Sequence, residues 1–215
     1  MAHKRLLTNF ELLPFFLKLE ILIRLAKHSS DAIRSVLTAI PTRVISQTVT
    51  TPEVFKNMNL HHLTVQSSSL LSNSRDLIDR CVGAGNLEAH YLRGMQEYFQ
   101  KENITEGLAH LQIAAQDLYD NAIYLYDIIM LSRGEPAIGK PLLDSLGWRE
   151  DKTQSDNCWK NIKTSIHGVA VTRFEIYMLT YRATKATITC HRDSIATRCD
   201  TCYYFKQMKK IVFII

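Results

Sequence analysis

The chain has no long apolar run. None of its 215 residues falls in a stretch approaching ~18 consecutive apolar side chains, the length a membrane-spanning helix requires. Near the N-terminus, Glu11, Lys18 and Glu20 interrupt each apolar run before it reaches signal-peptide length, so no secretory signal is expected. The ending Ile211-Val212-Phe213-Ile214-Ile215 is too short to span anything, and would be adhesive if exposed. Cysteine is sparse and odd in number, at five. In a chain with no export signal this argues against a disulfide framework and for reduced thiols in cytosol or nucleus. Five Pro and eight Gly are too few for a collagen-like or low-complexity chain. There is no run of like charge: the formal +5 is modest and Lys and Arg are scattered, so neither nucleic acid nor membrane is an expected partner. Catalytic signatures are also missing. The chain contains no Gly-x-Ser-x-Gly, no phosphate loop, no His-Glu-x-x-His and no Rossmann glycine string. His61 and His62 are adjacent, hence point apart on a helix. A non-enzymatic chain without a cofactor is expected.

What is present is helical patterning. The apolar fraction, 46%, is enough for a real core. Leu13, Leu17, Ile21 and Leu25 follow a four-residue step, widened by Phe10, Phe16 and Leu22. That predicts an amphipathic helix from about Pro14 to Ala26, with Pro14 in its first turn and Lys27 and His28 at its negative end. Ser29, Ser30 and Asp31 offer caps for a second helix burying Ile33, Val36, Leu37 and Ile40 and stopped by Pro41. Thr51-Pro52-Glu53 starts a short third helix burying Val54, Phe55 and Met58. Residues 10–60 thus form one module, residues 66–80 a Ser-rich linker leading into a helix, 81–146 a repeat, and 147–215 a C-terminal region expected to be partly ordered. Cys81 reads as a small buried hydrophobe.

The repeat carries most of the functional inference. Ala89-x-Tyr91-Leu92 recurs as Ala122-x-Tyr124-Leu125, 33 residues on, a spacing typical of tetratricopeptide-like helical hairpins. The expected first helix is capped by Asn86 and buries Ala89, Leu92, Met95, Tyr98 and Phe99. The second is capped by Thr105 and buries Leu108, Leu111, Ile113 and Ala114. The third is capped by Asp120 or Asn121 and buries Ala122, Leu125, Ile128, Ile129 and Leu131. A fourth uses Ile138, Leu142, Leu143 and Leu146. Ala89, Tyr91, Leu92, Met95, Ala122, Tyr124 and Leu125 are the expected repeat core. The fold class is all-α.

Two strings carry a more specific resemblance. Leu13-Pro14-x-x-Leu17-x-x-Glu20-Ile21-Leu22-x-Arg24-Leu25 resembles the opening of an F-box, and Thr51-Pro52-Glu53-Val54-Phe55 its close. Gly85, Asn86, Glu88, Ala89, Tyr91, Gly94, Met95, Glu97, Tyr98 and Phe99 match a string of a plant family that pairs a degenerate F-box with Sel-like tetratricopeptide repeats. The resemblance covers about Leu13 to Leu146. It implies a three-helix module that docks on a Skp-type adaptor, and through it a cullin, by Leu13, Pro14, Leu17, Ile21, Leu22 and Leu25. The repeats would then bind a target protein. One departure stands out: family members usually show a Cys- or Ser-Lys-x-Trp cluster before the close, and Ala39 to Ile45 contains no Trp. The other reading is a repeat scaffold that works without the adaptor.

The C-terminal region is the least informative. Between Cys158 and Tyr181 the spacing is mixed and β-branched residues are frequent, so helix and strand are not separable there. Cys190, His191, Cys199 and Cys202 are the one candidate zinc set. Adjacent Cys-His ligands are unusual and no second Cys-x-x-Cys exists, so no metal is assigned.

Overall fold

A computed structural model describes residue 10 and residues 12–64, 74–167, 174–184 and 199–214. Among these residues every regular element is a helix. The chain folds as two compact units, Met1–Leu63 with Asn73–Ala89, and Thr64–Ser72 with His90–Ile215.

The first unit contains α1 (Phe15–His28), α2 (Ser30–Ala39), α3 (Arg43–Val49), α4 (Pro52–Lys56) and α6 (Arg75–Gly83). The short α5 (His61–Thr64) follows α4. Pro14 sits at the N-cap of α1, one position before the first turn. Ser29 caps α2, its hydroxyl accepting the Asp31 N–H at 3.1 Å. The helix α3 is not legible as a stripe. Only Ile45 and Val49 give it a buried apolar pair, and it starts where the Thr42 hydroxyl accepts the Ile45 N–H at 3.4 Å. Thr51 precedes α4 as expected, but its hydroxyl donates back to the Thr48 carbonyl at 2.8 Å and caps no N–H of its own helix.

The buried side of α1 differs from the predicted one. Lys18, Leu22 and Ala26 face inward, while Leu17 and Ile21 remain 39% and 36% exposed. The end of α1 explains the choice. Asn59 donates its backbone N–H to the Ala26 carbonyl at 2.8 Å and its amide to that of Lys27 at 3.3 Å. These bonds satisfy carbonyls that a helix end otherwise leaves open, and they hold the Leu22–Ala26 side against the core.

In the second unit, α7 (Leu87–Met95), which begins in the first, continues as a π-helical turn over Gln96–Gln100. Then come α8 (Ile104–Gln116), α9 (Asp120–Ser132), α10 (Pro136–Gly139), α11 (Pro141–Ser145), α12 (Thr153–Ile166), α13 (Glu175–Ala183) and α14 (Asp200–Ile214). The helix α9 is the centre of the unit. It packs on α8, α10, α11, α12, α13 and α14, and every residue from Asn121 to Ser132 is buried. A helix apolar on all sides belongs in such a position.

Several expected details shift. Asn103 and Tyr119, not Thr105 and Asp120 or Asn121, stand at the N-caps of α8 and α9. Ile113 is 42% exposed and Ile138 45%. The fourth helix is split, because Pro141 offers no N–H to continue α10 and opens α11 at its first position. The C-terminal region carries three helices among its described residues, and α14 buries Cys202, Tyr203, Tyr204, Met208, Ile211 and Val212.

The close approach of α8 to the π-helical turn depends on Gly107. A Cβ there would stand 2.7 Å from the Tyr98 backbone nitrogen and 2.9 Å from its Cα. Backbone cannot rotate away as a side chain does. Gly107→Ala is therefore expected to lower stability by roughly 1–3 kcal/mol, despite alanine's better helix propensity. A urea midpoint at or above that of the parent would contradict this.

Candidate functional site

Most of the large exposed hydrophobic side chains among the described residues of the first unit lie on α1 or just before it. Leu12, Phe15 and Phe16 are 65%, 56% and 66% exposed, and Leu17 and Ile21 continue the patch along the helix. Pro14 is exposed, and Leu13 and Leu25 are half-buried. An i,i+4 pair, Arg24 to Glu20 at 2.8 Å, lies on the same helix, both side chains open to solvent. Large exposed apolar patches are characteristic of protein-interaction sites, ligand grooves and membrane contacts. Of the six positions singled out for adaptor contact, Leu22 does not belong to this surface. It is fully buried and can only act through the fold. Phe15 does belong, and its adjacency to Phe16 hides it from a four-residue period.

Asn86 fixes the start of α7. Its amide donates to the carbonyls of Phe55, Lys56 and Met58 at 3.0, 3.1 and 2.8 Å. Its side-chain oxygen accepts the Ala89 N–H at 3.0 Å. One buried side chain thus caps α7 and satisfies the open end of α4. Glu88 adds a second tie by accepting the Leu60 N–H. Cys81, fully buried, has its thiol pushed up to about 12 by burial, with the nearby Glu88 adding to the shift. Such a thiol stays protonated and unreactive.

The repeat pairs Ala89 with Ala122, Tyr91 with Tyr124 and Leu92 with Leu125, and all six are buried, as is Met95. None of these side chains faces solvent. The Tyr91 ring meets that of Tyr119 edge-on at 5.4 Å. The Tyr124 hydroxyl donates to Gln207 and accepts from Lys210 at 3.2 Å, and the Lys210 ammonium lies 5.5 Å from the Trp159 ring centre. The repeat tyrosine therefore anchors α14. A second anchor sits at the start of α14. Trp148 stacks on Tyr203 at 3.7 Å, and Arg149 bridges Asp144 and Asp200, both at 3.0 Å.

His90 and His110 join Nδ1 to Nδ1 at 2.9 Å, and burial holds both below the ordinary histidine range. Cys190 and His191 lie outside the described residues. Cys199 is half-buried, and Cys202 is buried in the second unit. Among the described residues no three His, Cys, Asp or Glu side chains group as metal ligands, and no helix is long and apolar enough to cross a membrane.

Comparison with known proteins agrees with this architecture. The family described as plant tetratrico peptide repeats matches residues 60–167, from the end of the first unit's core through α12. A relative in Arabidopsis thaliana, named as an F-box protein, is 26% identical over 142 residues, which are 66% of this chain and 85% of the relative. Neither description names an enzyme family. No solved structure matches the chain significantly.

Proposed function

Because the chain belongs to the plant tetratrico peptide repeat family, we propose that it is a non-catalytic substrate receptor of a cullin-based ubiquitin ligase. The first unit binds a Skp-type adaptor through α1, and the second unit binds a target protein. The receptor works by proximity, raising the local concentration of a target lysine at the ligase. It acts in the cytoplasm or nucleus, where those partners are found.

The observation that carries this reading is the exposed apolar side of α1. Leu17 and Ile21, two of the positions that resemble adaptor contacts of an F-box, keep more than a third of their surface exposed although Lys18, Leu22 and Ala26 already give the helix a buried side. The relative named as an F-box protein supports the same reading. The test is retention of the intact chain by purified Skp-type adaptor, under conditions where a known F-box protein is retained. Retention is expected, and its absence overturns the proposal. The second reading, a repeat scaffold independent of the adaptor, is favoured by one feature. The segment holding α3 contains no Trp, where F-box proteins usually place one.

A further inference from the structure

Between Lys101 and Arg133 the chain has no lysine or arginine, although 26 such residues are spread over its length. The stretch instead holds Glu102, Glu106, Asp117, Asp120 and Asp127. Asp127 is buried, and the other four are exposed. They frame α8, whose buried side packs on α9 and the π-helical turn. Its other side presents Thr105, Glu106, Ala109, Gln112, Ile113 and Gln116 to solvent. In a chain of net positive charge, this is a locally acidic edge.

Leu118 follows α8 at this edge, and its conformation is unfavourable. Its φ is 65°, in the left-handed region. The Tyr119 N–H reaches the Ala114 carbonyl at 2.9 Å, and the Leu118 N–H that of Ala115 at 3.1 Å. This is the helix-ending turn in which glycine is the usual residue. A leucine there is strained where glycine is not, and here it places a large apolar side chain in water at 67% exposure. Ile113, whose carbonyl accepts the Asp117 N–H at 3.2 Å, is 42% exposed one turn away. The fold gains little from the Leu118 side chain, and a strained, exposed residue of this kind points to a contact.

We infer that the Ile113–Leu118 edge of α8 is the target-docking surface of the second unit. Its partner is a segment with an apolar side chain seated on Leu118 and Ile113 and flanked by Lys or Arg opposite Glu106, Asp117 and Asp120. Electrostatic complementarity of this sort supplies orientation and on-rate, while the apolar anchor supplies affinity. The inference rests on the receptor reading and names the chemistry of its target.

The test begins with selection from a displayed library of random 12-residue peptides on the intact chain. Peptides with Leu, Ile or Phe flanked by Lys or Arg are expected. The selected peptide then serves as the probe in fluorescence anisotropy. Leu118→Gly is expected to weaken binding by roughly tenfold or more while leaving the urea midpoint equal to or above the parent's, because it relieves the left-handed strain. A merely structural leucine would not give these opposite signs. Asp117→Lys, a change that the C-terminal end of a helix tolerates, is expected to weaken binding as well, and added salt to do the same. Three results overturn the inference: no selected peptide, selected peptides without basic residues, or unchanged affinity in Leu118→Gly. Adaptor retention, measured on the same protein, depends on α1. Peptide binding without adaptor retention therefore removes the receptor reading and leaves this surface standing.

Discussion

Replacing Asn86 with alanine is expected to unfold the first unit at a urea concentration far below that needed for the parent. The side chain is 4% exposed, and its amide is spent on the carbonyls of Phe55, Lys56 and Met58. Removing it leaves the Lys56 and Met58 carbonyls, and the Ala89 N–H that it caps, without that partner, while the Phe55 carbonyl keeps the Met58 N–H at 3.2 Å. Each buried polar group left unpaired costs about 1–3 kcal/mol. Partial relaxation and water entry reduce the sum, so a loss of roughly 4 kcal/mol is expected, a large share of a domain's stability. Asn86→Asp separates two roles. A carboxylate can still cap α7 and would suit its positive end, but it cannot donate to three carbonyls. If capping dominated, the aspartate variant would be nearly as stable as the parent. The geometry predicts that it is at least as damaging as alanine, measured by urea unfolding followed by circular dichroism.

Asp127 gives the second large effect, with the opposite sign. It lies fully buried in α9, and neither carboxyl oxygen has a well-formed hydrogen bond. Burial pushes its carboxyl up to about 8, with Asp144 adding to the rise and the Leu143 backbone only partly opposing it. The folded protein therefore holds this proton at pH 7, where the unfolded chain has released it. Stability from this group is fully present below the unfolded value near 3.8. It is lost as pH rises toward 8, by about 1.4 kcal/mol per unit, which amounts to something on the order of 4 kcal/mol by pH 7. Asp127→Asn has nothing to titrate. It is expected to match the parent near pH 4 and to exceed it by several degrees in Tm at pH 8. Comparing the two proteins cancels groups they share, including the histidine pair of His90 and His110. Parallel Tm curves for parent and variant across this range would refute the assignment.

The elements legible in the sequence are those whose pattern has one physical cause. The helix α9 reads clearly because Ala122, Leu125, Ile128, Ile129 and Leu131 give it a broad apolar surface, and a helix of that kind belongs in a core. Asn86 is legible as a cap because the residue type suits the position. Its grip on α4 is not, since the partners are backbone carbonyls some 30 residues earlier and carry no side-chain signature. The orientation of α1 escapes for a different reason. Two apolar stripes run side by side, Leu17–Ile21–Leu25 and Leu22–Ala26. Periodicity reports that both are apolar, and cannot say which meets the core and which a partner. The helix α3 escapes because two buried apolar residues are too few for a stripe. The helix α14 does carry a signal. Cys202, Met208, Ile211 and Val212 fall near helical spacing with Lys206 and Lys209 between them, and this places Ile211 and Val212 inward while Phe213 stays exposed. Leu118 cannot be read at all, because a left-handed leucine leaves no trace in composition.

The central claim, that the outward side of α1 docks on a Skp-type adaptor, is tested most directly by one binding measurement. The chain carrying Leu17→Asp and Ile21→Asp is titrated with purified adaptor beside the parent, and the Tm of both is recorded. Both positions keep more than a third of their surface exposed, while Leu22 is fully buried. The account therefore predicts a loss of affinity of roughly 100-fold with a Tm within a few degrees of the parent's. Equal affinity of the two proteins for the adaptor would contradict it.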